Sequence, residues 1–80
     1  MARYVYTCED RDSGEVLVYL ESTPEEDALD EVNAGVLVGF TGNGYLSFWK
    51  RCKEAALSLT GHGLRRSVIT DTYTGEEKVW

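Results

Sequence analysis

A glycine-rich turn is the first place where this sequence could do chemistry. It lies at residues 42–44, between the apolar run 36–40 and an apolar-faced segment that begins at Tyr45. A strand, a glycine turn and a helix in that order can hold a phosphate on backbone N–H groups. The turn lacks the Lys-Ser/Thr pair of a P-loop and does not fit G-x-G-x-x-G. A small-ligand or phosphate sensor is therefore one hypothesis, and a helix capped by Asn43 is its structural alternative.

The other residue types that catalyse reactions or bind metals are few. The chain has one histidine, His62, which lies between two glycines, and no motif places a nucleophile or carboxylate beside it. Cys8 and Cys52 are the two cysteines, and either reduced thiols or a disulfide would fit them. We therefore expect no catalytic residue, no metal site and no cofactor, and we expect that the protein is not an enzyme.

Basic residues cluster in the second half of the chain, beside a tryptophan. Residues 45–66 contain five bases and one acid, a local charge of +4. Basic side chains on a helix can hold phosphates while a neighbouring aromatic ring stacks on a base. This pattern supports an alternative hypothesis, a small nucleic-acid-binding protein that uses its second helix. The predicted contacts are Trp49, Lys50, Arg51, Lys53 and Arg65.

Acidic residues dominate the first part of the chain. Residues 1–31 contain ten acids and two bases, and the whole chain carries a net charge of −6. Such a field disfavours non-specific contact with nucleic acid and favours a basic partner. The predicted partner-binding residues are Asp10, Asp12, Glu25, Glu26, Asp27, Asp30 and Glu31. We expect lysine at positions 27, 30 and 31 to abolish partner binding while the fold survives.

Four segments have the alternating pattern of strands, at residues 3–8, 15–20, 65–73 and 76–80. Glycine-containing turns join them into two hairpins. Residues 16–20 are apolar on both faces, which is typical of a strand that is central or is covered by a helix and a partner surface. The apolar run 36–40 predicts a further buried strand.

Two segments have the pattern of helices. Thr23 and Glu26 can form a capping box, and an apolar stripe follows at Ala28, Leu29 and Val32. The second helix begins near Tyr45, and its apolar side chains recur every three or four residues as far as Leu59. The predicted fold is α+β, in the order ββ-α-β-α-ββ, with two helices packed on a mainly antiparallel sheet.

Eighty residues provide for one hydrophobic core, so we expect a single domain over residues 1–80. No apolar run approaches the roughly 20 residues of a membrane helix. The first ten residues lack the continuous apolar segment of a signal peptide. We therefore expect a cytoplasmic protein, and a homodimer through exposed strand edges is compatible with each hypothesis.

In size, acidity and lack of catalytic motifs, the chain is similar to the small proteins that bacteriophages make to block host machinery, including anti-CRISPR proteins and DNA mimics. The resemblance is one of overall character, and it transfers no site residues. It implies a host-cell cytoplasmic setting. The first hypothesis is therefore a non-enzymatic acidic protein-binding module, an inhibitor that docks on a basic surface of a host nucleic-acid-handling protein.

Overall fold

The computed structural model describes residues 2–31, 39–59, 61 and 63–80. These residues form an α+β fold with two helices and an antiparallel sheet, which confirms the predicted fold class. The elements are β1 (Tyr4–Asp10), β2 (Val16–Glu21), α1 (Pro24–Glu31), a 3-10 turn (Gly39–Thr41), α2 (Asn43–Leu57), β3 (Arg65–Asp71) and β4 (Glu77–Val79). Neither helix is long and apolar enough to cross a bilayer, within the ranges described.

The described sheet has four strands in the order β2-β1-β3-β4, and every neighbouring pair is antiparallel. Of the two settings predicted for residues 16–20, the central strand is wrong, because β2 lies at an edge of the sheet and Val16 and Tyr19 are exposed. Of the strand predicted at 36–40, residues 36–38 lie outside the described residues. Gly39 and Phe40 belong to the 3-10 turn.

The core lies between α2 and the two central strands. Phe48 of α2 stacks on Tyr4 of β1 with ring centroids 6.2 Å apart, and Tyr45 meets the same ring edge-on at 5.6 Å. The apolar stripe predicted for the second helix is therefore confirmed as its buried face. The fully or almost fully buried apolar side chains are Tyr4, Tyr6, Cys8, Tyr45, Phe48, Cys52 and Ile69.

The two hairpin turns have the same local structure. Each begins at an aspartate, Asp10 or Asp71, whose carboxylate accepts a hydrogen bond from the N–H two residues later, at 2.8 and 3.0 Å. Each has a glycine four residues after that aspartate, Gly14 or Gly75, with φ of 73° and 78°. This left-handed conformation is the one that glycine adopts without strain. Asp10 therefore has a structural role in its turn.

Both thiols lie in the core, and neither forms a disulfide. Cys8 and Cys52 are free and fully buried, and burial raises the pKa of Cys52 to about 12. Because a reagent cannot reach a fully buried thiol, we expect neither cysteine to react with Ellman's reagent in the native protein. Both should react once guanidinium unfolds the chain. Rapid labelling of two thiols without denaturant would contradict this packing.

Candidate functional site

The buried face of helix α1 consists of acidic side chains and does not contain the predicted apolar stripe. Its buried residues are Glu26, Asp27 and Asp30. Ala28 is exposed and Leu29 is 50% exposed, so the predicted inward stripe is wrong at these two positions, and Val32 lies outside the described residues. Buried carboxylates are tolerated only when they have partners, because desolvating an unpaired charge is costly. The partners of these three acids therefore decide what the acids can do.

Asp30 holds the beginning of helix α2. Its carboxylate accepts hydrogen bonds from the Tyr4 hydroxyl at 2.5 Å, the Gly44 N–H at 2.8 Å and the Tyr45 N–H at 3.0 Å. Helix α2 begins at Asn43, so Asn43 is inside the helix and the N-cap residue is Gly42, which makes no side-chain capping bond. The prediction that Asn43 caps the helix is therefore wrong. The carboxylate of Asp30, from α1, accepts hydrogen bonds from the free N–H groups at the beginning of α2, and the helix dipole favours a negative charge there.

This arrangement bears directly on the phosphate-sensor hypothesis. The N–H groups of Gly44 and Tyr45 already donate to Asp30, whose side chain is buried. A phosphate bound at residues 42–44 would have to displace this carboxylate or lie beside it against charge repulsion. The Asp30 carboxylate thus occupies the place at the beginning of α2 that a bound phosphate would take. The geometry therefore gives the phosphate-sensor hypothesis no support.

Glu26 is shared between a helix cap and an ion pair. It exchanges hydrogen bonds with Thr23, at 2.9 and 3.2 Å, which confirms the predicted capping box. Its carboxylate also pairs with the Arg51 guanidinium at 2.6 Å. Burial alone would raise the pKa of Glu26, but the hydrogen bonds from Arg51 and Thr23 outweigh burial and lower it. Glu26 and Arg51, predicted for two different binding surfaces, therefore bind each other.

Asp27 anchors the beginning of the chain. It accepts hydrogen bonds from the Ser22 hydroxyl at 2.5 Å and from the Arg3 N–H at 3.2 Å. The Arg3 guanidinium in turn pairs with buried Asp71 at 3.1 Å. Lysine at position 27 or 30 would remove the hydrogen bonds that Asp27 or Asp30 accepts, so from the structure we expect reversal at either position to destabilise the fold.

Three acidic residues, one buried and two exposed, line one open cleft. This cleft of about 410 Å³, named here the acidic cleft, is lined by Ala2, Glu21, Ser22, Pro24, Asp27, Glu31 and Tyr73. Glu31 accepts a hydrogen bond from the Tyr73 hydroxyl at 2.5 Å. The structure thus brings the predicted residues Asp27 and Glu31 together with Glu21, which sequence reasoning missed. Asp10, Asp12 and Glu25 do not line this cleft.

The predicted basic set does not form one surface. Arg51 is held by Glu26, and Arg65 donates to the carbonyls of Ala56 and Leu59, at 3.3 and 2.5 Å, near the end of α2. Lys50 is exposed. Trp49 and Lys53 line a second open cleft of about 510 Å³, named here the aromatic cleft, whose lining residues are Phe40, Tyr45, Leu46, Trp49, Lys53, Lys78 and Trp80.

The described residues contain no group of three or more metal-ligating side chains placed to hold an ion. His62 lies outside them, so the prediction that the protein is not an enzyme stays a prediction. Comparison of the chain with protein families, with characterised proteins and with solved structures finds no match. The two clefts are therefore the features from which a function is proposed.

Proposed function

We propose that this protein is a non-enzymatic module that binds a basic partner protein through the acidic cleft. One observation carries the proposal: the carboxylates of Glu21, Asp27 and Glu31 line one cleft, and no lysine or arginine is among its lining residues. The cleft also has an aromatic wall, Tyr73. The Arg3 guanidinium already lies 4.8 Å from the centroid of this ring. The carboxylates are therefore the groups that suit a partner's lysine or arginine side chain, through charge-assisted hydrogen bonds.

The three acids of the cleft differ in exposure and in hydrogen bonding, and this difference supports the proposal. Asp27 is fixed by Ser22 and Arg3, whereas Glu21 and Glu31 are exposed. Their hydrogen bonds come from the hydroxyls of Tyr19 and Tyr73, which are neutral donors. Neither Glu21 nor Glu31 is in one of the salt bridges found among the described residues, so no internal cation competes with a partner for them.

Much of the positive charge is already paired inside the molecule. Arg3 pairs with Asp71, Arg51 with Glu26, and Arg66 lies 3.8 Å from Glu9. Each pair neutralises one acid together with one base, so an approaching partner experiences the field of the net charge of −6. Such a field accelerates association with a basic protein and makes that association sensitive to salt.

The specific form of the proposal is an inhibitor that occupies a basic surface of a host nucleic-acid-handling protein in the cytoplasm. The small size and acidity of the chain support it, by resemblance to phage-made inhibitors such as anti-CRISPR proteins and DNA mimics. Direct nucleic-acid binding by the second helix has less support, because Arg51 and Arg65 make internal contacts.

A matched pair of charge reversals tests the proposal. The double variant Glu21→Lys, Glu31→Lys changes the acidic cleft, and Glu15→Lys, Glu54→Lys makes the same change in net charge at exposed positions outside it. Each tagged protein is used to capture partners from bacterial lysate at low and at moderate salt. We expect the wild type and the control to retain one nucleic-acid-handling protein, weakened by salt, and the cleft variant to lose it.

Two results would contradict the proposal. One is equal capture by the cleft variant and the wild type, and the other is equal loss in both double variants, which would show that only net charge matters. Circular dichroism and urea unfolding of both variants check that they fold. Because the four substituted side chains are exposed, we expect changes in the free energy of unfolding of no more than about 1 kcal/mol.

A further inference from the structure

The aromatic cleft has chemistry opposite to that of the acidic cleft, and the two share no lining residue. Four aromatic side chains line it: Phe40, Tyr45, Trp49 and Trp80. Its volume of about 510 Å³ is within the range of roughly 300–1,000 Å³ that is typical of small-molecule sites. The size and lining fit a planar apolar group.

The aromatic walls are held in place by the fold. The Trp80 ring stacks on Tyr6 at 5.5 Å, and its backbone exchanges two hydrogen bonds with Ser67, at 2.9 and 3.2 Å. Tyr45 packs edge-on against Phe40 at 5.2 Å. A site that is already formed loses little conformational entropy when a ligand binds, so this rigidity favours binding.

Two lysines give the cleft a local positive charge within an acidic protein. The Lys53 ammonium lies 5.0 Å from the Trp49 ring centroid, and the Lys78 ammonium lies 5.8 Å from Tyr45 and 5.9 Å from Phe40. Neither is among the salt bridges found within the described residues. Both ammonium groups are therefore available to an anion seated against the rings.

Tyr45 provides a further indication of a ligand. Its side chain is 2% exposed, and its hydroxyl is the one buried side-chain polar atom without a hydrogen-bond partner in the part of the chain that is described. Buried polar groups without partners are rare, and each one requires an explanation. Tyr45 is among the residues that line the aromatic cleft, so a ligand that reaches the buried hydroxyl would supply the missing acceptor.

We propose that the aromatic cleft binds a planar aromatic ring that carries a phosphomonoester, the chemistry of a nucleoside monophosphate. The ring packs against the indoles of Trp49 and Trp80, and the phosphate pairs with Lys53 and Lys78. A phosphomonoester carries roughly −1.5 to −2 charges at neutral pH, which two ammonium groups match. A long polyanion fits less well, because the net charge of −6 repels it along its length.

Titration of the ¹⁵N-labelled full chain with adenosine monophosphate, followed by two-dimensional NMR, tests this site. We expect saturable shifts of the two indole N–H signals. Adenosine, which lacks the charge, and inorganic phosphate, which lacks the ring, should each bind at least about tenfold more weakly. Guanosine, cytidine and uridine monophosphates are titrated in parallel, so that a preference for another base is detected.

Matched variants locate the binding. Lys53→Gln and Lys78→Gln should each weaken binding about tenfold, and Tyr45→Phe should weaken it without a change of fold. Lys50→Gln, on the same helix but outside the cleft, should have no effect. The absence of shifts with all four nucleotides would overturn the inference. So would shifts insensitive to Lys53→Gln and Lys78→Gln, or binding of single-stranded DNA or an acidic peptide at these residues in place of the nucleotide.

Discussion

Asp30→Ala should lower the free energy of unfolding by about 3–5 kcal/mol, measured by urea or guanidinium denaturation at neutral pH. The substitution removes the acceptor of three hydrogen bonds, from the Tyr4 hydroxyl and from the N–H groups of Gly44 and Tyr45. These donors would remain in a buried region, so the loss includes their desolvation as well as the bonds themselves. The beginning of α2 would also lose its favourable charge.

Glu25→Ala is the matched control, since Glu25 lies on the same helix and is exposed. It should change the free energy of unfolding by no more than about 0.5 kcal/mol. Asp30→Asn should fall between the two, because the amide keeps one acceptor oxygen and loses the charge. If Asp30→Ala were no more destabilising than Glu25→Ala, the hydrogen bonds from Asp30 of α1 to the beginning of α2 could not be important for stability.

Gly44→Ala should destabilise the protein by about 3 kcal/mol or more, through overpacking of two backbones. A Cβ atom at position 44 would lie 1.9 Å from the Glu26 carbonyl oxygen and 3.0 Å from the Asp30 carboxyl carbon. The two helices would have to separate, which would also weaken the hydrogen bonds to Asp30. In an ordinary helix the same substitution stabilises by about 1 kcal/mol, so the expected sign is reversed.

Gly63→Ala is the control for this substitution, because no heavy atom other than those of Gly63 and its chain neighbours is found within 4 Å of the position that its Cβ would take. Its effect on the free energy of unfolding should be within about 0.5 kcal/mol of zero. Thermal unfolding followed by circular dichroism can compare both variants with the wild type. A melting temperature of Gly44→Ala at or above that of the wild type would refute the close approach of α1 and α2.

Local patterns were sufficient to predict most of the elements. The glycine turns and alternating side chains predict both hairpins, the spacing of Tyr45, Phe48 and Cys52 predicts the buried face of α2, and Thr23 with Glu26 predicts the beginning of α1. The edge position of β2 was not predictable in this way. It depends on β1 pairing with β3, some 60 residues away in the chain, and on what covers each face of the sheet.

The candidate site was harder to predict for the same reason. Asp30 lies in a helix whose apolar residues suggest the opposite inner face, and its backbone partners are 14 and 15 positions away. Nothing in the local sequence shows that these donors are present. Likewise, Glu21 and Tyr73 line one cleft although 52 positions separate them in the chain. Charge composition indicated an acidic protein, but only the folded chain separates structural acids from exposed ones.

The affinity of the captured partner for the acidic cleft tests the proposed function most directly. Isothermal titration calorimetry would compare the wild type, the Glu21→Lys, Glu31→Lys variant and the Glu15→Lys, Glu54→Lys control against the same purified partner. We predict that the cleft variant binds at least about tenfold more weakly than the wild type, while the control stays within about threefold. Equal affinities for the cleft variant and the control would contradict docking through the acidic cleft.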